Sequence, residues 1–250
     1  MGSRKISDEY FNSAISNLKL VKTREKEKIT SAADLIAQSL ITGGVLHVFG
    51  AGHSHMLAEE VCRRAGGLVQ VNPILDIGFT LLSGLPARIR RLERLEGYTR
   101  SLVESYELLP NEVIIIASQS GINPAPIEVA LASKEQGLYV VSITSLDHSM
   151  SLKSRHSSGK RLFEISDVVI DTHVPPGDAV LELSSDLPRI APLSTVIGAT
   201  IMQAIIAEVI CKLIENGEEK PDIWASANMP GGDEHNRTVA KKYPFRYKSF

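Results

Sequence analysis

Residues 45–55 read VLHVFGAGHSH, a short apolar run that leads directly into a glycine-rich turn. A helix-like segment over 54–65 follows the turn. A strand that enters a helix through such a turn is typical of open α/β sheets, in which ligands bind beyond the carboxyl ends of the strands. We therefore expect a buried strand at 45–49 and a ligand site in the turn after it.

Four other apolar runs predict the remaining strands of the same sheet. Each run has at most six residues and is apolar nearly throughout, which is typical of parallel strands covered on both faces. Segments with helical periodicity separate the runs. The sequence therefore predicts an α/β fold, a doubly wound five-stranded parallel sheet with helices on both faces. The predicted strands are 45–49, 68–71, 113–117, 139–144 and 168–170, and the predicted helices of this part are 54–65, 98–108, 125–136 and 192–216.

The order of these patterns divides a single domain, residues 1–250, into three parts. Apolar residues at three- and four-residue steps predict one or two helices over 7–41, and Gly43-Gly44 ends them. The last part mixes Pro, Gly and charge without clear periodicity, so we expect it to wrap the domain or reach a neighbouring subunit. The parts are the N-terminal helices (1–43), the sheet core (44–217) and the C-terminal tail (218–250).

Charge and cysteine content limit the class of protein. Lys and Arg number 27 and Asp and Glu number 29, a net charge of −2 that argues against binding nucleic acid or membrane through bulk charge. Cys62 and Cys211 form no disulfide framework and no Cys-x-x-Cys pair. The N-terminus lacks a secretory apolar run, and the longest apolar stretch, 196–210, carries Gln203 and Glu208. We therefore expect a cytoplasmic protein in which 196–210 is a core helix.

Gly50, Gly52 and Ser54 make the turn after the first strand a candidate anion cradle. Glycines let backbone N–H groups approach a ligand closely, and the serine adds a hydroxyl donor. The dinucleotide fingerprint G-x-G-x-x-G requires a small sixth residue, but His55 stands there. No acidic residue ends the second strand either, so we expect no nucleotide and no other cofactor. The alternative is that the glycines serve the turn alone.

The loop after the third strand, 118–124, is a second candidate cradle. Ser118 and Ser120 place hydroxyls near the start of the next helix, where Asn123 is a good N-cap and Pro124 a good first residue. An ordinary capped loop is the alternative for this segment taken alone. Two such strand–loop–helix units in one sheet predict that an anion binds between the two loops.

The two loops resemble those of the sugar isomerase (SIS) family of phosphosugar-binding domains. That family has a G-x-G-x-S loop after its first strand and an S-x-S-G-x-[T/N] loop after a central strand. The resemblance covers about residues 40–215, and it implies that both loops hold the phosphate of a sugar phosphate. The chain looks most like small stand-alone bacterial phosphoheptose isomerases. The matching residues are Gly50, Gly52, Ser54, Ser118, Ser120, Gly121 and Asn123.

Aldose–ketose isomerisation needs a base that moves a proton between adjacent carbons and an acid that acts on the sugar oxygens, tasks that suit a carboxylate and a histidine. Glu59, on the helix after the first loop, is the first candidate base, and a solvated helix face is the alternative. In family isomerases an acidic residue before the last helix acts as the base, and the matching positions are Asp178 or Glu182. Apolar sequence neighbours favour burial of Glu182.

His53 and His235 are the candidate imidazoles. His235 follows the segment 228–232, which resembles the His-Pro-Gly-Gly segment of arabinose-5-phosphate isomerases but has Met229 in place of the histidine. We expect no regular structure there, so His235 is free to reach a site in its own or a neighbouring subunit. Metal ligation by His53 and His55 is an alternative. We favour no metal, with His53 donating to a substrate oxygen and His55 packing at the helix start.

Two segments of the sequence, 88–96 and 153–161, are rich in charged residues. Arginines interleave with Glu93 and Glu96 over 88–96, which indicates a salt-bridged surface or a subunit interface. The basic segment 153–161 follows the fourth strand on the expected ligand side, and we interpret it as a solvated loop.

The sequence favours a phosphosugar isomerase, or a related aldose/ketose-phosphate enzyme, that acts through carboxylate and histidine acid–base catalysis. The alternatives are a non-catalytic sugar-phosphate-binding protein and a metal-assisted phosphosugar enzyme, and lysis or deamination are alternative reactions. A transcription regulator is disfavoured because no helix-turn-helix domain precedes the sheet. We expect a homodimer or homotetramer, because apolar residues of 192–216 cover more than one helical face.

Overall fold

The computed structural model of the chain describes residues 5–83 and 85–243. The strands of its main sheet are β1 (Leu46–Gly50), β2 (Val71–Pro73), β3 (Val113–Ala117), β4 (Tyr139–Thr144) and β5 (Val168–Asp171). All pairs are parallel, and the strand order is β2-β1-β3-β4-β5. The predicted five-stranded α/β sheet is therefore confirmed.

The second strand begins later than the apolar run 68–71 predicts. Leu68 is paired with Ile223 of the tail in an antiparallel bridge, and the Val69 N–H donates to the Asp222 carbonyl oxygen at 3.0 Å. The backbone of Leu68 and Val69 is thus paired with the tail rather than with β1, and the Val69 side chain packs against Trp224 of the tail. An apolar run shows that a segment is buried, but not which part of the chain covers it.

Helices cover both faces of the sheet. Alternate strand residues point to opposite faces, so Val48 and Ile115 join the core on the α2, α3 and α8 side, whereas Phe49 and Ile116 join the core on the α5 and α6 side. The helices are α1 (Ile6–Arg24), α2 (Lys26–Ile41), α3 (His55–Val61), α4 (Pro86–Leu92), α5 (Tyr98–Glu104), α6 (Pro124–Glu135), α7 (Leu146–Met150), α8 (Ser194–Glu215) and α9 (Gly232–Ala240).

A hairpin that the sequence did not predict precedes α8. Its strands, β6 (Ala179–Leu181) and β7 (Ile190–Pro192), pair antiparallel, with Ala179 opposite Pro192. Because Pro192 ends β7, the helix begins at Ser194 and not at the proline. Pairing across the hairpin therefore outweighs the preference of proline for a helix start.

The long apolar helix α8 packs as a core helix. It is long and apolar enough to cross a membrane by length and composition, with a mean hydropathy of 1.8 over 18 residues. However, Ile197, Ile201, Ile205 and Val209 lie on one face at four-residue steps and are buried in the core beside the sheet. This packing agrees with the prediction of a core helix.

The turn between α1 and α2 is attached to the edge strand β5. Glu25 is buried there, and its Oε2 accepts a hydrogen bond from the Asp171 N–H at 3.2 Å. Its Oε1 lies 2.8 Å from His173 Nε2, and Asn17 Nδ2 donates to the His173 carbonyl oxygen at 2.9 Å. These contacts hold the N-terminal helices against the sheet and fix the loop that carries Thr172.

Candidate functional site

Gly50 and Gly52 shape the loop after β1 for different reasons. A Cβ on Gly50 would lie 2.2 Å from the Ser54 carbonyl oxygen, so no side chain fits where the loop folds back. Gly52 has a φ of 60°, which favours glycine, and its N–H donates to the Phe79 carbonyl oxygen at 2.9 Å. The two glycines therefore set the path of the loop, and Ser54 supplies the polar group that faces the cleft.

The loop after β3 keeps hydrogen-bond donors available. Ser118 Oγ accepts from the Gly121 N–H at 3.2 Å, which closes the loop on itself. Gly121 has a φ of 60°, and a Cβ there would lie 3.2 Å from Ser149 Oγ. Within the described part of the chain, the N–H groups of Gln119 and Ser120 and the Ser120 hydroxyl have no hydrogen-bond partner.

Asn123 stands at the N-cap position of α6 but does not cap it, contrary to the prediction; Pro124 is the first helical residue as expected. Asn123 Nδ2 donates to Glu93 Oε2 at 3.2 Å, and Asn123 Oδ1 accepts from Arg155 Nη1 at 2.8 Å. Hydrogen bonds to charged groups are stronger than those between neutral groups, which explains why the side chain turns to these neighbours.

Both loops open on one cleft at the carboxyl edge of the sheet. A larger part, of about 670 Å³, lies against the β3 loop, and an adjoining part, of about 290 Å³, reaches the start of α8. Ser54, Ser118 and Gln119 line both parts. The larger part is also lined by Glu93, Ser120, Asn123, His148 and Asp178, and the smaller part by His53, Thr172, Ser194 and Thr195.

Polar side chains hold the floor of the cleft together. Gln119 Oε1 accepts from Thr172 Oγ1 at 3.2 Å, and Gln119 Nε2 is buried without a partner among the described residues. Asp178 Oδ1 accepts from the N–H groups of Leu193 at 2.9 Å and Ser194 at 2.7 Å. Asp178, a candidate base, therefore also holds the first turn of α8.

Glu93 and His148 line the larger part of the cleft, and the sequence did not single out either as a site residue. Burial raises the pKa of the Glu93 carboxyl, and the positive charges of Arg94 and Arg155 oppose this. Burial lowers the pKa of the His148 imidazole, and the charge of Asp178 opposes this. His148 is therefore mostly neutral near pH 7 and is able to accept or donate a proton.

Of the residues on and before α3, His53 lines the cleft but Glu59 does not. The Glu59 side chain is 49% exposed, and its Oε1 lies 2.8 Å from His55 Nδ1. Glu59 borders a separate surface hollow with Glu60. The His55 side chain is buried at the start of α3, where we expected it to pack.

Glu182 and His235 also lie outside the lining of the cleft. Glu182 is on the loop after β6, where its side chain is 56% exposed and its Oε2 lies 3.6 Å from Arg189 Nη2. The burial expected from its apolar neighbours is therefore wrong. His235 lies in α9, so the expected irregular structure is also wrong, and its Nε2–H donates to the Ile223 carbonyl oxygen at 2.8 Å.

His53 and His55 do not converge, since one lines the cleft and the other packs beside Glu59. Within residues 5–83 and 85–243, no group of three or more His, Cys, Asp and Glu side chains is placed to hold a metal ion.

A sequence signal existed for one of the two residues that were missed. His148 follows β4 directly, and the carboxyl ends of neighbouring parallel strands share one edge of the sheet. Glu93 gave no such signal, because it is one acidic residue in a segment rich in charge.

Comparison with curated proteins finds relatives of similar length that are named UPF0309 proteins. The UPF0309 protein of Geobacillus kaustophilus is 44% identical over 239 residues, which cover 96% of this chain and 94% of the relative. The UPF0309 protein of Listeria innocua is 41% identical over 236 residues, which cover 94% of this chain and 95% of the relative.

Solved structures share the fold at low sequence identity. Phosphoheptose isomerase GmhA from Neisseria gonorrhoeae has a TM-score of 0.55 and 17% identity, over 82% of this chain and 95% of that one. The sugar isomerase domain of an RpiR transcription factor from Sphaerobacter thermophilus has a TM-score of 0.51 and 14% identity, over 96% of this chain and 99% of that one.

A family model described as the SIS domain matches residues 9–145, which are more than half of the chain. That range contains β1 and β3 and the two loops that form the cleft. The chain therefore belongs to the SIS domain family.

Proposed function

We propose that the cleft binds a sugar phosphate, with its phosphate between the loops after β1 and β3. The observation that carries this proposal is a set of donors without an acceptor among the described residues, on residues that line one space: the N–H groups of Gln119 and Ser120 and the hydroxyls of Ser120 and Ser54. Phosphate oxygens accept several hydrogen bonds at once, and backbone N–H groups at the start of helices favour anions. Membership of the SIS domain family supports the same ligand class.

The reaction that this cleft supports best is aldose–ketose isomerisation by acid–base catalysis. Carboxylate and imidazole groups, among them Glu93, His53 and His148, line the space beside the loops. Phosphoheptose isomerases of similar fold include the one from Francisella tularensis, with a TM-score of 0.52 and 16% identity over 86% of this chain and 100% of that one. Glu59, Glu182 and His235 remain candidates for a site that a second subunit completes.

Non-catalytic binding is the second candidate function. The Vibrio vulnificus NanR protein complexed with ManNAc-6P has a TM-score of 0.50 and 14% identity, over 97% of this chain and 70% of that one. A protein of this fold therefore binds the phosphosugar ManNAc-6P. Turnover of a bound sugar phosphate separates the two functions.

The assembly that we propose is a cytoplasmic homodimer or homotetramer. Several large apolar side chains on α1 and α8 are exposed in the single chain, including Phe11, Ile15, Val196 and Ile214. Burying such side chains between subunits is favourable. Sedimentation at micromolar concentration tests this, and a monomer would exclude the assembly but not the ligand.

Thermal unfolding with and without ligands tests the binding proposal. The ligands are aldose and ketose phosphates of five to seven carbons and the same sugars without phosphate. At about 100 times its dissociation constant, a ligand that binds only the native state adds about 2.7 kcal/mol of stability. Equal stabilisation by a sugar and its phosphate would exclude a phosphate site.

Ser120→Ala sharpens that test, because it removes one hydroxyl from the proposed phosphate site. Hydrogen bonds to charged groups contribute about 1.5–3 kcal/mol, so binding should weaken about tenfold or more. Ser31→Ala is the matched control, because the Ser31 hydroxyl donates to the Glu27 carbonyl oxygen on the exposed side of α2.

A further inference from the structure

The Glu93 carboxylate lies between the two loops of the cleft. Its Oε1 is so near Gly52 that a Cβ on that glycine would be 2.9 Å away, and its Oε2 accepts from Asn123 Nδ2. The main chain is fixed as well, because the Glu93 N–H donates to the Ile89 carbonyl oxygen and its own carbonyl oxygen accepts from the Ala125 N–H. A ligand held by both loops would therefore meet this carboxylate.

His148 lines the same part of the cleft from α7. Its backbone N–H donates to Ser145 Oγ at 3.2 Å, which caps this short helix and fixes the residue. Its ring Nδ1 is buried, and no other described residue forms a hydrogen bond with it. No described residue forms a hydrogen bond with Nε2 either, so neither ring nitrogen is used in holding the fold, and the imidazole that lines the cleft keeps its capacity to bind a ligand through Nε2.

We propose that Glu93 and His148 are the proton-transfer pair of the cleft, with Glu93 as the base and His148 as the acid. The proposal rests on the proposed function, because it needs a sugar phosphate whose phosphate lies between the loops. It assigns the reaction to two residues from different parts of the chain, Glu93 directly after α4 and His148 in α7, that line the same part of the cleft.

The proposed steps balance without an oxidant or a reductant. Glu93 removes a proton from C1 of a 2-ketose phosphate, and the electrons of that C–H bond form a C1–C2 double bond while O2 takes a proton from His148. Glu93 then returns a proton to C2, and His148 takes the proton of O1 as the C1 carbonyl forms. The product is the aldose phosphate, and both side chains regain their starting protonation states.

Arg155 is the positioning residue of this arrangement. Its Nη1 donates to Asn123 Oδ1 at 2.8 Å, which orients the amide so that Nδ2 donates to Glu93. The Arg155 charge also opposes the rise in the pKa of Glu93 that burial causes. Arg155 therefore orients the base and keeps more of it ionised at a given pH.

The test is proton exchange at C1 in deuterium oxide, followed by NMR on 2-ketose phosphates of five, six and seven carbons. We expect the wild type to incorporate deuterium and form aldose phosphate with at least one of them. Glu93→Gln and His148→Gln should each lower the isomerisation rate by about 10²–10⁴-fold and keep the thermal stabilisation by that ligand. Glu104→Gln, at an exposed carboxylate of α5 that is paired with Arg100, is the control and should match the wild type.

The outcomes separate this proposal from the proposed function. If no sugar phosphate stabilises the wild type, the binding function fails and the proton-transfer pair fails with it. If the wild type is stabilised but exchanges no proton with any ketose phosphate, binding stands and the pair is refuted. If Glu93→Gln or His148→Gln turns over at the wild-type rate, isomerisation stands and the assignment of that residue is wrong, with His53 as the next acid.

Arg155→Met tests the positioning role. Loss of the positive charge should raise the pKa of Glu93, so the acidic limb of the kcat/KM profile should move to higher pH. Arg155→Lys should restore the limb, because it restores the charge. An unchanged limb in Arg155→Met would refute the role of Arg155.

Discussion

The two ends of the parallel sheet use the same residue types in opposite ways. At the amino end, His47 on β1 and Glu112 before β3 are both buried, and His47 Nε2 lies 2.9 Å from Glu112 Oε2. The Glu112 carboxylate also accepts from the N–H groups of Val45 at 3.0 Å and Leu109 at 2.8 Å. Both oxygens of the Glu112 carboxylate are therefore hydrogen-bonded, to two main-chain N–H groups and to the imidazole.

At the carboxyl end, Glu93 and His148 keep hydrogen-bonding capacity toward open space. Glu93 has one side-chain donor, Asn123, and neither ring nitrogen of His148 has a partner among the described residues, with Nε2 the one that is not fully buried. A buried acid and histidine that satisfy each other stabilise the fold, whereas the same residue types with free positions at a cleft are available to a ligand. Residue type therefore says less about function than what each polar atom already binds.

The largest expected effect is on stability at the amino end. Glu112→Ala would leave the buried His47 imidazole, the buried Val45 N–H and the partly buried Leu109 N–H without their acceptor, so the free energy of unfolding should fall by about 3 kcal/mol or more. Glu93→Ala should cost less than about 1 kcal/mol, because its carboxylate borders the cleft and solvent replaces its partner. Urea unfolding measures both. Equal losses would contradict the distinction between the two ends.

An intermediate effect on stability and ligand binding is expected when a side chain is added at Gly50, in the loop after β1. Gly50→Ala would press a methyl group against the Ser54 carbonyl oxygen, and the resulting backbone shift should cost about 1–3 kcal/mol and weaken sugar-phosphate binding. Gly217→Ala is the control: it has a φ of 95° and an added Cβ would have no atom within 4 Å, so the substitution should cost about 1 kcal/mol and leave binding unchanged. Thermal unfolding with ligand measures both, and retained binding in Gly50→Ala would show that the close approach is unimportant.

The smallest expected effect is on the pH dependence of stability at the carboxyl end. Because the pKa of Glu93 is raised, the native state holds that proton more tightly than the unfolded chain, and the contribution is lost as the pH rises through the raised pKa. The pKa of His148 is lowered from its ordinary 6.5, so its contribution is lost as the pH falls through the lowered value.

Melting temperatures at several pH values check these signs. Relative to Glu93→Gln, the wild type should lose stability as the pH rises above the ordinary carboxyl pKa of 4.5; relative to His148→Gln, it should lose stability as the pH falls below the ordinary imidazole pKa of 6.5. Slopes of the same sign in both comparisons would contradict the assigned directions.

The sheet was predictable from sequence because its strands are buried on both faces. The predicted bounds of β3 and β4 agree with the structure, since continuous apolar runs identify such strands. The start of β2 was not predictable, because the backbone of Leu68 pairs with a tail residue far along the chain. The hairpin of β6 and β7 has short, half-exposed strands and so gave no apolar signal.

The loops of the site were predictable from their motifs, but not the polar groups opposite them. Gly50 and Ser120 stand in patterns whose spacing reflects local backbone geometry. Glu93 enters the cleft through its contact with Asn123, 30 residues away, and no local pattern encodes that contact. The sequence also predicted that Asn123 caps α6, because it could not show that Arg155 and Glu93 compete for its amide.

The N-terminal helices and the C-terminal tail each contact one border of the sheet. On the β5 side, the Glu25 carboxylate from the N-terminal helices takes the Asp171 N–H, and on the β2 side the tail pairs with the backbone that leads into a strand of three residues. An open border with unpaired N–H and C=O groups is a template for adding a strand from another molecule, the first step of aggregation. The Glu25 carboxylate occupies one N–H of the β5 border and the tail covers the backbone just before β2, so these terminal segments leave less open edge to which a strand of another molecule could add.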